Sequence, residues 1–526
     1  MPATMKRRTA FEKIHQAELL GKLTLADRVL FRGHLFLRDP RQLRAFLSCR
    51  GVLLKDFGRY AQAQTAELKA HAERLAAQAG RPFVYLASSH TARTGYSKEQ
   101  LARDIAKRDG VREGLICVLS VLEPCNAFDV RGNPKTQSLE IVRRLRKCLH
   151  FYFYCLDPEL GFMHVRLQSW LPFTIQVYVN GREWLCRQLD RKGIGYERYD
   201  NALLRVDDQR AARRLCGSFL RQRWPAVLDR FARQVNPLLA SIQPGSSIGY
   251  YWVTEQCEIA TDLMFRTRPV LLRLLPDLFG HSLRAMSAED ALRFLGRKPH
   301  GRYQGETTAD LKRRPEGLRI KFRMKRNSIK MYDKWSVLRI ETTIHNPREF
   351  KILRRVQGSL RWMPMAKGVA NFWRINEIGE QANARFLEEL AHAEPTYQAV
   401  AALDRLCRGR TVGHKRFPRF NPVSPDDARL FAATLDGSHL LNGFRNRDLA
   451  ARLYPRSPRG GADIRRRRER TSRLIAKLRG HGLIAKVPRS RLYRVTPLGQ
   501  RAMSAAIHFR HLSFPQSYAA TERLAA

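Results

Sequence analysis

One stretch of the sequence, residues 327–344 (NSIKMYDKWSVLRIETTI), places a tyrosine and a glutamate beside basic residues at a spacing that allows them to act together. Apolar residues alternate with polar ones in both halves of the stretch, as in two paired strands that are each buried on one face. If the apolar faces point inward, Tyr332 and Glu341 share the outward face with Lys330 and Arg339. Such a face is either a solvated sheet surface or the floor of a site that handles phosphate groups.

The charge of the whole chain indicates the kind of partner. The 526 residues include 96 Lys and Arg against 48 Asp and Glu, a net charge of +48. Self-repulsion of this size destabilises a lone compact chain, and a polyanion relieves it. Nucleic acid is the expected partner, because each neutralised phosphate also releases a counterion. A membrane is not expected, since no apolar run approaches the roughly 18 residues that a span requires and the N-terminal segment lacks a signal-peptide pattern.

The cysteines and short motifs exclude several other classes of protein. The chain has nine scattered cysteines and no Cys-x-x-Cys pair, which predicts buried free thiols in a reducing cytoplasm rather than disulfides or a zinc site. The sequence contains no Walker A, Gly-x-Gly-x-x-Gly or His-Glu-x-x-His motif. Nucleotide hydrolysis, dinucleotide redox chemistry and zinc peptidase chemistry therefore have no support. A cytoplasmic location is expected.

Helical and strand-like patterns occupy different parts of the chain, which predicts an α+β multidomain protein. The N-terminal part is mainly helical in pattern and includes a capping box at Ser97 and Gln100. Aromatic and β-branched runs follow and indicate strands. Linkers at 243–249 and 409–423 separate later regions. The predicted regions are 1–110 (helical), 111–242 (α+β), 250–360 (the domain with the β-hairpin), 361–408 (helical connector) and 424–510 (DNA-binding domain).

The C-terminal region has a specific order of predicted elements. Two helices, PDDARLFAATLDG and NGFRNRDLAARLYP, precede a long third helix, DIRRRRERTSRLIAKLRGHG. Leu474, Ile475 and Leu478 form the apolar stripe of this third helix. Two short strands in LIAKVPRSRLYRVT and a last helix complete the order. Over about 85 residues this region resembles the winged helix-turn-helix family, whose third helix enters the DNA major groove.

The charge of this region favours contact with nucleic acid. Residues 459–494 contain 13 Lys and Arg against two acidic residues, a net charge of +11. The first half of such a recognition helix meets base edges and phosphates, and the tip of the wing meets a neighbouring phosphate. The alternative is a protein-docking module with solvated arginines. The candidate contacts are Arg465, Arg466, Arg467, Arg468, Arg470, Arg473, Lys477, Arg489 and Arg491.

Residues 250–355 resemble the core of rolling-circle replication initiators of plasmids and filamentous phages. In that family an acidic strand is followed by a basic strand with Arg/Lys-x-Tyr-Asp/Asn-Lys and then by a strand of the Arg-x-Glu type. Here CEIATDLMF, IKMYDK and LRIETTI stand in that order. The resemblance covers about a fifth of the chain and its motifs are short.

This resemblance implies roles for particular residues. Tyr332 would attack a DNA phosphodiester and form a 5′-phosphotyrosine, which divides strand transfer into two easier steps. Glu258, Asp262 and Glu341 would bind Mg²⁺ or Mn²⁺ through carboxylate oxygens. Many members of the family carry a paired-histidine metal motif, and this sequence does not. A divalent cation is expected only if the protein is an enzyme, and otherwise no cofactor is expected.

The basic residues of the hairpin have two interpretations. Under the resemblance, Lys330, Lys334 and Arg339 would offset the negative charge of the phosphorane and lower the pKa of Tyr332. The structural alternative is that Tyr beside Lys and Glu opposite Lys are ordinary cross-strand pairs on a solvated sheet face. The sequence leaves both interpretations open.

Other residues are weaker candidates. Glu306 and Asp310 could add carboxylates, but they fit the start of a helix equally well. Glu123 and Asp129 flank a predicted turn. The aromatic runs LHFYFYC and SWLPFTIQVYV could stack exposed bases, although core packing is the expected role.

Two functions are compatible with these patterns. The first is a DNA-binding protein of a mobile element or replicon, of the initiator or transposition type, that recognises duplex DNA and nicks and rejoins it with Tyr332 during DNA replication. The second is a non-catalytic binder, either a transcription regulator or the protein partner of a large structured RNA. Charge does not separate the two, because DNA and RNA present the same phosphates.

Overall fold

The protein consists of two compact units. The N-terminal unit comprises Met1–Leu271 and Ala291–Leu387, and the C-terminal unit comprises Leu272–Asp290 and Glu388–Ala526. Helices and strands are both abundant, which agrees with the predicted mixture of helix and sheet. The computed structural model describes residues 8–35, 39–87, 89–90, 94–242, 249–297, 306–314, 317–393, 404–437, 439 and 443–514.

The strands of the N-terminal unit range in length from 4 to 20 residues. In chain order they are β1 (Leu19–His34), β2 (Phe83–Leu86), β3 (Gly114–Asn133), β4 (Ser138–Asp157), β5 (Gly161–Gln168), β6 (Ile175–Asn180), β7 (Tyr196–Tyr199), β8 (Ala202–Val206), β9 (Tyr251–Phe265), β10 (Thr307–Arg314), β11 (Gly317–Met324), β12 (Asn327–Lys334), β13 (Val337–Ile344), β14 (Lys351–Val356) and β15 (Ser359–Pro364).

Eleven of these strands form one sheet in the order β10-β11-β12-β13-β9-β1-β6-β5-β4-β3-β2. All neighbours in it are antiparallel except β2 and β3. The sheet therefore crosses the boundaries predicted between regions 1–110, 111–242 and 250–360. The predicted strand pairing of residues 327–344 is confirmed, because β12 and β13 form an antiparallel hairpin.

The prediction that residues 1–110 are mainly helical is wrong for β1, which lies in the middle of the sheet between β6 and β9. Alternate apolar residues of β1 are buried, but a β-bulge between Ala26 and Val29 reverses the alternation. Leu23 and Leu25 consequently lie on one face of the sheet, whereas Val29 lies on the other. The bulge interrupts the period-two pattern, which is why the pattern did not reveal the strand.

Most helices up to residue 390 pack on the sheet or connect its strands, whereas residues 272–285 belong to the C-terminal unit. They are α1 (Ala10–Ile14), α2 (Pro40–Cys49), α3 (Phe57–Gln78), α4 (Lys98–Arg108), α5 (Gly181–Arg191), α6 (Gln209–Leu220), α7 (Trp224–Val235), α8 (Leu238–Ile242), α9 (Arg268–Ala285), α10 (Asp290–Phe294) and α11 (Phe372–Leu390). The predicted capping box is confirmed, since the Ser97 side chain accepts a hydrogen bond from the Gln100 amide at the start of α4.

An aromatic cluster fixes one face of the sheet against these helices. Phe31 of β1 lies 4.9 Å from Trp224 of α7 and 5.5 Å from Phe372 of α11, measured between ring centroids. Phe219 of α6 lies 5.0 Å from Trp224. Buried aromatic pairs of this kind remove a large apolar area from water and hold a defined geometry. The apolar face is thereby committed to packing, and the opposite face of the central strands carries the polar residues of the predicted site.

The C-terminal unit contains three helices, a hairpin and a further helix in the predicted order. Its elements are β16 (Arg410–Val412), β17 (Lys415–Phe417), α12 (Pro425–Thr434), α13 (Asn446–Leu453), α14 (Gly461–Gly480), β18 (Ile484–Lys486), β19 (Tyr493–Val495) and α15 (Pro497–His508). Ile475 and Leu478 of the predicted stripe are buried in a core with Phe431 and Phe444, and Leu474 packs against it. The stretch 409–423, predicted as a linker, includes the short β16–β17 pair.

None of the helices in the described ranges combines the length and apolar character that a membrane crossing would need.

Candidate functional site

Tyr332, Glu341 and Lys330 form one hydrogen-bonded group on the polar face of the β12–β13 hairpin. The Tyr332 hydroxyl donates to Oε2 of Glu341 over 2.5 Å. Lys330 lies directly opposite Glu341 in the strand register, and its ammonium group donates to Oε1. Both carboxylate oxygens therefore have a donor. The structure thus brings together the tyrosine and the glutamate that the alternation of the sequence placed on one face.

The electrostatics of this group differ from the prediction. Burial alone would raise the pKa of Glu341, but the adjacent Lys330 and the Tyr332 hydroxyl lower it to about 2. Burial and the negative charge of Glu341 raise the pKa of Tyr332 well above its ordinary value. The predicted net lowering of the pKa of Tyr332 is therefore wrong: Arg339 lowers this pKa, but burial and the charge of Glu341 outweigh that effect, and Lys330 contacts Glu341 instead.

The other two basic residues predicted to assist Tyr332 are also held by carboxylates. Lys334 contacts Oδ2 of Asp200 over 2.6 Å. Arg339 makes two hydrogen bonds to Asp262, from Nε over 2.6 Å and from Nη2 over 2.9 Å, and is buried. A bidentate pair of this kind fixes the guanidinium group. Neither side chain is thus positioned as a free cation for a phosphate, which corrects their predicted role.

Asp262 belongs to a buried network of four charges. Besides Arg339, Arg182 of α5 donates to Oδ2 of Asp262 over 2.8 Å. Asp27 of β1 lies 3.4 Å from Arg182 and 3.5 Å from Arg339, and all four side chains are at most 1% exposed. Burial opposes ionisation of Asp262, but the two arginines lower its pKa. Asp262 was predicted as a metal ligand, and the structure instead gives both of its oxygens to arginines.

Glu258 differs from Asp262 because its charge is not neutralised by a direct ion pair within the described residues. It lies opposite Thr343, whereas Glu341 lies opposite Ala260, so the two glutamates are diagonal neighbours on one face. Burial and the negative charge of Glu341 raise the pKa of Glu258 to about 7.

Of the three predicted metal ligands, only Glu258 has a carboxylate with no ion pair among the described residues, because Glu341 is bound by Lys330 and Tyr332, so only Glu258 is suitable as an oxygen ligand for Mg²⁺ or Mn²⁺. Asp262 does not fit that role. In the described part of the chain, no group of three or more His, Cys, Asp or Glu side chains is arranged to hold a metal ion. The fit is thus limited to the single carboxylate of Glu258.

The raised pKa of Glu258 predicts a pH dependence of stability in a buffer free of divalent cations. An acid whose folded-state pKa exceeds its unfolded value stabilises the fold at low pH, and the contribution is lost as pH rises through the folded pKa. The free energy of unfolding should therefore fall between about pH 5 and pH 8 in the wild type and fall less in Glu258→Gln. Urea unfolding at both pH values measures this, and parallel pH profiles of the two proteins would contradict it.

A second tyrosine–glutamate group lies on the same face of the sheet, in β3, β4 and β5. Glu123 accepts hydrogen bonds from the Tyr152 hydroxyl over 2.8 Å and from Arg166 over 2.8 Å, and its carboxylate also contacts Lys98. Burial alone would raise the pKa of Glu123, but Lys98 and Arg166 lower it to about 2. Glu123 lies inside β3 and not beside a turn, which corrects the sequence interpretation.

The remaining weaker candidates are also placed. Asp310 lies within β10, and Glu306 directly precedes that strand, so neither starts a helix. Asp129 lies in β3 and pairs with Arg144 over 2.6 Å. The aromatic residues Phe151 and Phe153 are buried, so the core-packing interpretation of the run LHFYFYC is confirmed.

Sequence reasoning missed Asp27 and Arg182, the two partners that complete the buried network. Asp27 lies in the region predicted to be helical, and Arg182 lies in the first turn of α5 with its side chain buried. One signal was present: an Asp between the apolar runs LTLA and VLF is unusual in a buried strand and calls for a counter-charge. Its partners are 155 and more residues away in the sequence, and only the tertiary structure identifies them.

In the C-terminal unit, the first half of α14 presents a row of exposed arginines. Thr471 and Ile475 face inward, so the helix is anchored along one side only. Five of the predicted contacts make no ion pair with the residues that the structure describes, and these five are Arg465, Arg466, Arg468, Arg470 and Arg473. Arg467 instead pairs with Asp463 over 2.8 Å and donates to the Arg456 carbonyl over 2.6 Å.

A concave surface lies between α13, the loop after it, α14 and the β18–β19 hairpin, and we call it the cationic groove. Seven Lys and Arg residues line it, among them Arg447, Arg468 and Lys486, and the described lining contains no Asp or Glu. Arg491 of the hairpin turn also lines the groove. Arg489 is exposed at the tip of the same turn, with a φ of 54°. The groove is therefore a site of uniformly positive charge.

One predicted contact in this unit is wrong. Lys477 lies in the second half of α14, where its ammonium group contacts Asp427 over 3.2 Å and lies 3.9 Å from the ring centroid of Phe420. The side chain is only 15% exposed. Lys477 therefore holds α14 to α12 and does not face a nucleic acid. Helical periodicity explains the error, since Lys477 follows the partly buried Leu474 by three residues and lies on the same side of the helix.

Comparison with protein-family models, with curated protein sequences and with solved structures finds no match to this chain.

Proposed function

We propose that this protein binds duplex DNA through its C-terminal unit, as a DNA-binding protein of a mobile element or replicon. The observation that carries the proposal is the cationic groove, with seven Lys and Arg in its lining and no described carboxylate. A concave surface of one charge sign attracts a polyanion and raises its rate of association. The net charge of +48 on the whole chain adds to the same attraction.

Duplex DNA fits this surface better than a small anion does. The 20 residues of α14 make a rod about 30 Å long, and its exposed half carries arginines that can pair with guanine edges or phosphates. The order of three helices and a two-stranded hairpin supports the resemblance to the winged helix-turn-helix family. Under that resemblance α14 would enter the major groove, and the turn with Arg489 and Arg491 would contact a neighbouring phosphate.

Two arginines of α14 provide a matched test of the groove. Arg468 lines the groove, whereas Arg470 is equally exposed but lies about 200° around the helix and outside the lining. We expect Arg468→Ala to weaken duplex binding and to reduce the slope of log K against log salt by about one. Arg470→Ala should have a smaller effect on the duplex affinity and on the salt slope. Fluorescence anisotropy of a labelled duplex over a salt series measures this, and equal effects of the two substitutions would refute the role of the groove.

A second function, nicking and rejoining of DNA, is favoured by the 2.5 Å hydrogen bond between Tyr332 and Glu341. A nucleophile whose hydroxyl already donates to a carboxylate has the arrangement needed for proton removal. Tyr332 Oη would bond to phosphorus, the bond from phosphorus to the 3′ oxygen of the adjoining nucleotide would break, and the phenolic proton would pass to Glu341. The low pKa of Glu341 makes it a weak base, so the chemistry requires a strongly polarised phosphate.

The residues of the site limit how that polarisation is provided. Glu258 would be the one predicted ligand available to a divalent cation, which would supply Lewis-acid polarisation of the scissile phosphate when bound. Lys330 would keep Glu341 ionised and oriented. Arg339 and Asp262 would act only by fixing β13 against β9, since each is bound to the other.

The alternative is a non-catalytic transcription regulator or the partner of a large structured RNA, because the groove would attract either polymer. Purification from the host without nuclease, followed by sequencing of the bound nucleic acid, separates these possibilities. DNA fragments would support the first proposal, and a long RNA in stoichiometric amount would replace it.

A further inference from the structure

The β14–β15 ribbon is a rigid two-stranded projection of the N-terminal unit. Its strands pair through six residues each and are joined by the two-residue turn Gln357–Gly358. Both turn residues have positive φ, 48° and 77°, as in a type I′ turn, whose twist matches that of paired strands. At the base, Phe350 and Met365 are buried and the Met365 amide donates to the Phe350 carbonyl. The ribbon is thus anchored at one end, and every residue of β15 is exposed.

One face of this ribbon carries exposed apolar side chains beside Lys351 and Arg355. Leu353 and Trp362 are directly opposite each other in the register, and Leu360 lies opposite Arg355. Trp362 is 60% exposed, and Leu353 and Leu360 are exposed as well. A tryptophan at the centre of an open two-stranded surface offers a flat face on which another ring can stack. The exposed apolar surface therefore indicates a ligand that has aromatic faces.

The other face of the ribbon carries like charges. Arg354 lies directly opposite Arg361, an arrangement that destabilises a strand pair unless an anion lies nearby. The ribbon segment 351–364 contains four Lys and Arg and no Asp or Glu. Arg354 has a single weak hydrogen bond, 3.4 Å to the Asn371 side chain, and Arg361 donates to Ser359 on its own strand. The charge of the ribbon is therefore complementary to a polyanion.

We propose that the β14–β15 ribbon binds single-stranded nucleic acid, with Trp362 stacked on an unpaired base and with Arg355, on the same face, on a flanking phosphate. Cationic surfaces with aromatic platforms are the usual means of binding a single strand, because each base presents a face for stacking. A duplex hides those faces in its own base stack, so the ribbon selects unpaired strands. The assignment rests on the proposed nucleic-acid function and adds a second binding surface that prefers a different form of the polymer.

The test compares two exposed tryptophans in the full chain. Trp362→Ala should weaken binding of labelled oligodeoxythymidylate and oligouridylate by about 5- to 150-fold, which corresponds to the loss of one base stack. Trp373, which is 52% exposed on α11, is the matched control, and Trp373→Ala should leave the affinity unchanged. Trp362→Phe should retain most of the affinity because it keeps a stacking ring. Arg355→Ala should reduce the salt slope for single strands by about 0.7.

Several outcomes overturn the proposal. Unchanged single-strand affinity in Trp362→Ala does so, and so does an equal loss in Trp362→Ala and Trp373→Ala. A loss of duplex and single-strand binding together would refute the preference for unpaired strands. A ribbon that docks a protein would leave all oligonucleotide affinities unchanged in these variants. The duplex function is tested separately by Arg468→Ala, which should weaken duplex binding and leave oligodeoxythymidylate binding through the ribbon intact, so each proposal can fail without the other.

Discussion

Asp262→Asn is expected to lower the free energy of unfolding of the N-terminal unit by about 3–5 kcal/mol. The substitution leaves Arg182 and Arg339 buried with Asp27 as their remaining counter-charge. In an intact buried ionic network the attraction between the charges roughly offsets their desolvation cost. When one member is removed, the desolvation cost of its partners is no longer offset. The shape of the side chain is retained in Asn, so the expected loss comes from charge and not from a cavity.

Tryptophan fluorescence during urea unfolding measures this loss, because all seven tryptophans lie in the N-terminal unit. The matched control is Asp200→Asn, which removes an ion pair with Lys334 but at a side chain that is 63% exposed. The control should cost less than about 1 kcal/mol, since solvent screens exposed pairs. The φ of 48° at residue 200 is tolerated by Asn. Similar losses in both variants would contradict a stabilising role for the buried network.

The sign of the pH dependence at Asp262 is opposite to that at Glu258. The pKa of Asp262 is lowered in the folded protein, so its contribution is present above the unfolded pKa and is lost as pH falls through the folded value. The difference in the free energy of unfolding between the wild type and Asp262→Asn should consequently be largest near neutral pH and should become smaller at acidic pH. An unfolding series that shows a constant difference would be inconsistent with this assignment.

Tyr332→Phe is expected to abolish formation of a covalent protein–DNA adduct and to reduce nicking of supercoiled plasmid in the presence of Mn²⁺ by on the order of a thousandfold or more. The substitution removes only the hydroxyl that donates to Glu341, and it leaves the ring packed in place. Phenylalanine has no hydroxyl that can bond to phosphorus, so the covalent intermediate cannot form at all.

Tyr152→Phe is the control for this substitution. Tyr152 also donates its hydroxyl to a glutamate, Glu123, on the same face of the same sheet, so its removal has a similar structural effect. It should leave adduct formation unchanged. If the wild type forms no adduct with any divalent cation, or if Tyr332→Phe still forms it, the nicking function is refuted. Duplex binding through the cationic groove would be unaffected by that outcome.

The sequence was informative wherever a local pattern decides the structure. The hairpin of β12 and β13, the capping box at Ser97 and the apolar stripe of α14 follow from alternation, side-chain caps and helical periodicity. Lys477 was predicted to contact nucleic acid, but its side chain lies on the inner side of α14 against Asp427. The prediction was wrong because the basic residues of α14 do not all lie on the same side of the helix.

What the sequence alone determined is the mixture of helix and sheet, the positive charge of the whole chain and the shared face of Tyr332 and Glu341, since each depends on composition or on neighbours a few residues apart. Only the tertiary structure decided which carboxylate each cation binds. Asp262 takes Arg182 and Arg339, which leaves Glu258 beside Glu341 without a direct ion pair among the described residues. Charge pairing depends on distances of a few ångströms between strands that are far apart in sequence, and a one-residue bulge in β1 changes which side chains meet.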